Sequence, residues 1–331
     1  MSTKKHLLQA AAGAGTGGGP WDISTAVFNG SPINWVSVGN QETFPEGLFF
    51  KPDGTKMYIV GIGGDIVFQY DLSTAWDIST AFFTSPSTNY LNIVAQDSGP
   101  QGLFFKPDGT KMYLAGNSTD SIIEYDLSTA WDISTASYLQ SFSVASQETS
   151  PEQVWFKPDG TQMYIIGTQG DDVSQYTLST AWDISTSSYL GASSVAANAP
   201  TPNGFFFKDD GTKMYVADSS ADNIVEYNLT IAWDYSTISY VQSFSVASEE
   251  YSSTGVFFKD DGTKMYVVGT GSDSVNQYNL STAWNISTAS YVQSFLIKQS
   301  SSLQEIFFKP DGTKMYISST TPDAIFSYDL Q

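Results

Sequence analysis

The sequence predicts an all-β protein, a single six-bladed β-propeller with four antiparallel strands per blade, in which an N-terminal outer strand completes the C-terminal blade. Three observations carry this. A segment F-F-K-P-D-G-T-K-M-Y starts at Phe49 and recurs at Phe104, Trp155, Phe206, Phe257 and Phe307. A second module, W-D-I-S-T, starts at Trp21, Trp76, Trp131, Trp182, Trp233 and Trp284. The turn glycines Gly54, Gly109, Gly160, Gly211, Gly262 and Gly312 are spaced by 55, 51, 51, 51 and 50 residues, close to the length of a propeller blade. Third, the two ends complement each other. An outer strand around Ile33 to Val38 precedes any inner strand, and the last unit stops at Tyr328-Asp329-Leu330 without one. Pairing these ends leaves no free sheet edge to aggregate.

Within a unit, Gly47 to Lys51 is short and apolar and suits the innermost strand. Pro52-Asp53-Gly54 follows as a turn: Pro presets φ, Asp bonds its own backbone, and Gly takes φ > 0. Lys56 to Val60 is the second strand, Ile66 to Leu72 the third, and stretches such as Ser137 to Val144 the outer one. The W-D-I-S-T module reads as the connection between third and outer strands. Its tryptophans recur in every unit, which points to packing between blades. Trp155, replacing Phe in one inner strand, reads as core.

This pattern resembles the P-D-G-bearing propeller repeats of the YVTN and NHL type over residues 21–331. Residues 1–20 differ in kind: Leu7, Leu8, Ala10 and Ala11 form a helix-prone patch, and Gly13 to Gly19 reads as a linker. The opening M-S-T-K-K-H-L-L-Q-A-A-A-G resembles the N-termini of virion structural proteins of marine tailed phages, cyanophages especially. That resemblance implies a docking peptide that attaches the propeller to other virion proteins.

The chain carries 14 Lys+Arg, all of them lysine, against 34 Asp+Glu, a net charge of −20, with no cysteine and only His6. Thiol chemistry, disulfides and Cys/His zinc sites are therefore excluded, and nucleic-acid partners are disfavoured. No apolar run reaches the length of a membrane span, and no cofactor is expected. Eleven lysines flank the first turn of each unit, from Lys51 and Lys56 to Lys309 and Lys314. The opposite face is acidic. Its lead-in loops carry Glu42, Glu46, Asp97, Glu148, Glu152, Glu249, Glu250 and Glu305, with Lys298 the one basic residue placed there. Variable loops on a rigid scaffold are where recognition usually sits. Phe44, Glu46, Asp97, Glu152, Glu249, Tyr251 and Glu305 are therefore the expected ligand or receptor face. One acid also recurs before each third strand: Asp65, Asp120, Asp171, Asp222, Asp273 and Asp323. Its first reading is a turn residue bonding nearby N–H groups. A divalent cation is the second, with no D-x-D-x-D-G run to support it.

From these features the expectation is a non-enzymatic virion component, a propeller displayed on a tail or head appendage for host-surface binding or subunit contact. The alternative is a secreted or cell-surface bacterial binding propeller or, further off, a carbohydrate-active enzyme. If there is catalysis, Glu46, Glu152 and Glu305, at similar positions and facing the channel, are the candidate acids.

Overall fold

In the computed structural model, residues 19–28, 35–39, 42–83, 89–169 and 172–331 are described. The docking segment at Leu7, Leu8, Ala10 and Ala11, and Asp171, lie outside them. Six antiparallel sheets succeed one another along the chain. In blade 3 the strands are Pro151–Phe156, Gln162–Gly167, Asp172–Leu178 and Ser187–Ser194, inner to outer. The inner strands of the other blades are Pro45–Phe50, Pro100–Phe105, Pro202–Phe207, Ser253–Phe258 and Leu303–Phe308. Each begins two residues before the G-L-F-F-K core of the repeat. The outer strand of blade 1 is split into Ala81–Phe82 and Tyr90–Asn92.

The ring closes as the ends predict. Trp35–Ser37 pairs antiparallel with the third strand of blade 6, Trp35 opposite Phe326 and Ser37 opposite Ala324. Val27 bridges Asp329. Trp21 donates its N–H to Gly312 O of the blade 6 turn at 2.9 Å, and its ring stacks 5.2 Å from Phe308.

Each W-D-I-S-T module is more than a connection. The Trp backbone takes φ near +65°, from 64° at Trp284 to 70° at Trp21, and its indole covers the turn glycine. A Cβ on Gly54 would lie 2.3 Å from the Trp76 ring, so glycine is required there for space as well as for φ. The next residue caps a single 3-10 turn: Asp77 accepts the Ser79 N–H at 3.0 Å. The tyrosine of each K-M-Y strand then donates to the Trp carbonyl of the following blade, as Tyr58 does to Trp131 at 2.6 Å and Tyr316 to Trp76 at 2.5 Å. A third-strand Gln or Glu makes a parallel latch. Gln69 accepts the Ile133 N–H at 3.1 Å and Glu124 the Ile184 N–H at 3.1 Å. The core is thus a circle of aromatic packing between blades, sealed by buried polar links whose partners lie one blade on.

Candidate active site in the central channel

Every inner strand carries a bulge at its second residue. The ladder skips from Pro45 to Gly47, Pro100 to Gly102, Pro151 to Gln153, Pro202 to Gly204, Ser253 to Gly255 and Leu303 to Glu305. Proline, which cannot donate to the ladder, opens four of these strands and favours the break. The skipped residues are Glu46, Gln101, Glu152, Asn203, Thr254 and Gln304. The sixfold repeat places them as a ring around the channel: two carboxylates, three amides, one hydroxyl and no cation.

The residue after the bulge points at the next blade. A Cβ on Gly47 would lie 3.1 Å from Gln101 O, and one on Gly102 2.5 Å from Glu152 O. Glycine allows the inner strands to approach. Two blades break this rule. Glu305 carries its carboxylate across the seam from blade 6 to blade 1 and accepts the Leu48 N–H at 3.1 Å. Gln153 stands at the seam between blades 3 and 4, where Trp155 packs toward Phe207 with ring centroids 6.4 Å apart. Gln153 Oε1 in this seam and Asn203 Oδ1 at the bulge of blade 4 are buried and find no hydrogen-bond partner among the described residues. Buried acceptors left unpaired are costly and call for an explanation.

Glu152 sits beside them, 9% exposed. Burial pushes its carboxyl up to about 7. The nearby carboxylates of Glu46 and Glu148 push the same way, and a hydrogen bond with Thr168 opposes them.

The remaining acids of this face mostly hold loops. Glu42 accepts Phe44 N at 2.9 Å and Gly63 N at 2.7 Å. Asp97 accepts Gly99 N at 2.6 Å and Thr119 N at 2.8 Å. Glu148 accepts Ser150 N at 2.7 Å and Glu250 accepts Gly271 N at 2.9 Å. Each carboxyl fills space left by a glycine at the end of the second strand. A Cβ on Gly61 would meet Glu42 Cδ at 2.7 Å, and one on Gly269 would meet Glu250 Cδ at 2.6 Å. Blade 4 reverses the arrangement. Ala199 replaces the acid and Asp218 replaces the glycine, and Asp218 accepts Thr201 N at 2.6 Å and Ala221 N at 2.7 Å. Blade 6 uses two hydroxyls, Ser300 and Ser319, 2.6 Å apart.

Of the residues expected on the ligand face, the structure brings Glu46 and Glu152 together at the channel. Phe44 and Tyr251 are exposed on the rim, at 51% and 66%. Asp97 is a buried loop clamp, and Glu249 accepts from the Tyr278 hydroxyl at 3.2 Å. Glu305 is one register position away from Glu46 and Glu152 and lies in a seam. The recurrent Asp65, Asp120, Asp222 and Asp273 take φ between 49° and 54° in their hairpin turns, the left-handed region Asp tolerates. Asp323 opens the third strand of blade 6. Among the described residues no three His, Cys, Asp or Glu side chains gather as a metal ion would require. Sequence reasoning missed Gln101, Asn203, Thr254 and Gln304, because it searched for acids rather than for one register position, and it missed Gln153, which stands one position on.

Residues 47–233, more than half of the chain, match the family described as lactonase, 7-bladed β-propeller. The chain belongs to this lactonase family. It does so with six blades rather than the seven of the family's description, and the matched span contains Glu152, Gln153 and Asn203. No curated protein matches the sequence. Among solved structures, a Bacteroides uniformis protein assigned as a 6-phosphogluconolactonase aligns with a TM-score of 0.59 and 14% identity, over 83% of this chain and 78% of that one. A periplasmic gluconolactonase of Pseudomonas aeruginosa aligns at 0.59 and 15%, over the same shares. Hydrazine synthase of Kuenenia stuttgartiensis aligns at 0.58 and 14%, over 88% and 77%. At such identities these likenesses establish the fold alone.

The family match overturns several expectations. The resemblance to YVTN and NHL repeats does not hold: K-P-D-G-T is turn chemistry that tight β-hairpins reach independently. The phage resemblance rested on a short stretch rich in Ala and Gly, which carries little family information. With it go the non-enzymatic virion component, the tail or head appendage, host attachment and the virion location. A family of lactonases is a family of enzymes.

Proposed function

We propose that this protein hydrolyses a lactone in its central channel, with Glu152 as general base. The observation that carries this reading is a carboxyl in the channel wall whose proton affinity is raised to about 7, where a general base works best at neutral pH. Family membership supplies the reaction class.

In this reading Glu152, ionised, takes a proton from a water molecule as the water oxygen attacks the lactone carbonyl carbon. The ring C–O bond then breaks, and the protonated Glu152 returns the proton to the leaving ring oxygen. One water is consumed and a hydroxy acid is released. Burial keeps the proton affinity of Glu152 high, with the Glu46 charge adding to it, and the amides of Gln101, Gln153 and Asn203 are placed to hold the substrate.

Glu152→Gln keeps the shape and removes the base. Its turnover of gluconolactone, measured above the spontaneous rate, should fall by roughly 100-fold or more. Turnover at the wild-type rate would dismiss Glu152 as the base.

A further inference from the structure

We infer that the lactone taken by this channel is uncharged and rich in hydroxyl groups, not phosphorylated. The inference rests on the lactonase reading and adds the substrate class. Two independent features lead to it.

The first is charge. A phosphate ester is normally held by Arg or Lys. This chain has no arginine, and 11 of its 14 lysines lie at the turns of the opposite face. There ten of them pair with local acids, such as Lys51 with Asp53 at 2.7 Å and Lys106 with Asp108 at 2.7 Å, and Lys264 bonds Asn279 at 3.0 Å. Lys298 is exposed at the outer-strand end of its loop, away from the inner strand that begins at Leu303. The bulge ring instead presents the carboxylates of Glu46 and Glu152. A phosphate placed against them would meet like charge in a partly desolvated site, where repulsion is strong.

The second is hydrogen-bond polarity. Gln153 Oε1 and Asn203 Oδ1 are buried acceptors with no partner among the described residues, and their residues are 3% and 8% exposed. Gln153 directly follows Glu152 in the inner strand of blade 3, and Asn203 is the bulge residue of the adjoining blade 4. An acceptor needs a donor, and sugar hydroxyls are donors whereas a phosphate dianion is not. A site built to bond hydroxyls rejects analogues that lack them, because its own groups are then left unpaired.

The test compares three probes on the full-length protein: gluconolactone, its 6-phosphate, and the unsubstituted valerolactone. Gluconolactone should exceed its 6-phosphate in kcat/KM by roughly 100-fold, the scale set by placing an anion against unscreened carboxylates. Gln153→Leu and Asn203→Leu should raise KM for gluconolactone by a larger factor than KM for valerolactone, which has no hydroxyl to lose a partner. Equal or preferred turnover of the 6-phosphate overturns the inference while leaving the lactonase reading in place. So does an unchanged KM for gluconolactone in both variants. If none of the three lactones is opened, the lactonase reading fails and takes this inference with it.

Discussion

Glu152 and Glu305 differ by one register position, and that single step decides their chemistry. Glu152 occupies the bulge and faces the channel. Glu305 follows its bulge and spends its carboxylate on a backbone N–H of the next blade. In the sequence they look alike, each an acid just before an aromatic pair, because a bulge leaves no mark in an apolar pattern. Aligning all six units on the residue before the glycine would have separated them. The raised proton affinity of Glu152 also has a consequence for stability. Its folded value lies near 7 against an ordinary 4.5, so the folded state holds a proton that the unfolded chain releases. The contribution is therefore fully present below about 4.5, and is lost as pH rises through 7. Stability should fall by on the order of 3 kcal/mol across that window from this group. Glu152→Gln should remove that part of the slope in urea titrations at pH 4.5 and 8. An identical slope in the variant would mean that Glu152 ionises normally.

At the level of the element, most strands were legible in the sequence because the repeat displays them six times. The third strand, Ile66–Leu72, falls where alternation and turn residues place it. The 3-10 turn at Ile78–Thr80 was not legible, since three residues are too few for any helical period. The loop clamps were hidden for another reason: an acid in a variable loop looks like a recognition residue until its glycine partner in the second strand is seen. Blade 4 proves the pairing by exchanging the two positions. Asp218→Gly should remove the partner of the Thr201 and Ala221 N–H groups, which are half-buried and exposed, and cost about 1–3 kcal/mol, the usual net worth of two hydrogen bonds that water can partly replace. Adding Ala199→Glu should restore most of it, because the blade would then match the arrangement at Glu250 and Gly269. Chemical denaturation of the two variants checks this. A double variant no more stable than the single one would break the clamp account.

For the whole molecule, closure is the decisive feature. Residues Trp21 to Val38 contribute an indole to the blade 6 turn, a bridge at Val27 and the outer strand at Trp35–Ser37. Tyr266 of blade 5 also reaches back to the Trp21 carbonyl. Trp21→Ala should lose about 3–5 kcal/mol, the usual cost of truncating a buried Trp. Removal of residues 21–40 should expose the third strand of blade 6 as a sticky edge. Light scattering on heating would report the aggregation, and a truncated chain that stays soluble and melts as before would refute the closure. The ring has a functional role as well: only a closed circle brings Glu46 of blade 1 and Glu152 of blade 3 to face one channel.

The pH dependence of kcat/KM for lactone opening tests that arrangement most directly. In the wild type the rate should rise with pH through an apparent value near 7, the proton affinity that burial and Glu46 give Glu152. Glu46→Gln removes one of the neighbouring charges, so the same limb should move to lower pH, and in Glu152→Gln it should vanish with the activity. A limb near 4.5 would contradict a buried channel-wall carboxylate as the base, and one that stays in place when Glu46 is neutralised would contradict the approach of Glu46 to Glu152 across the ring.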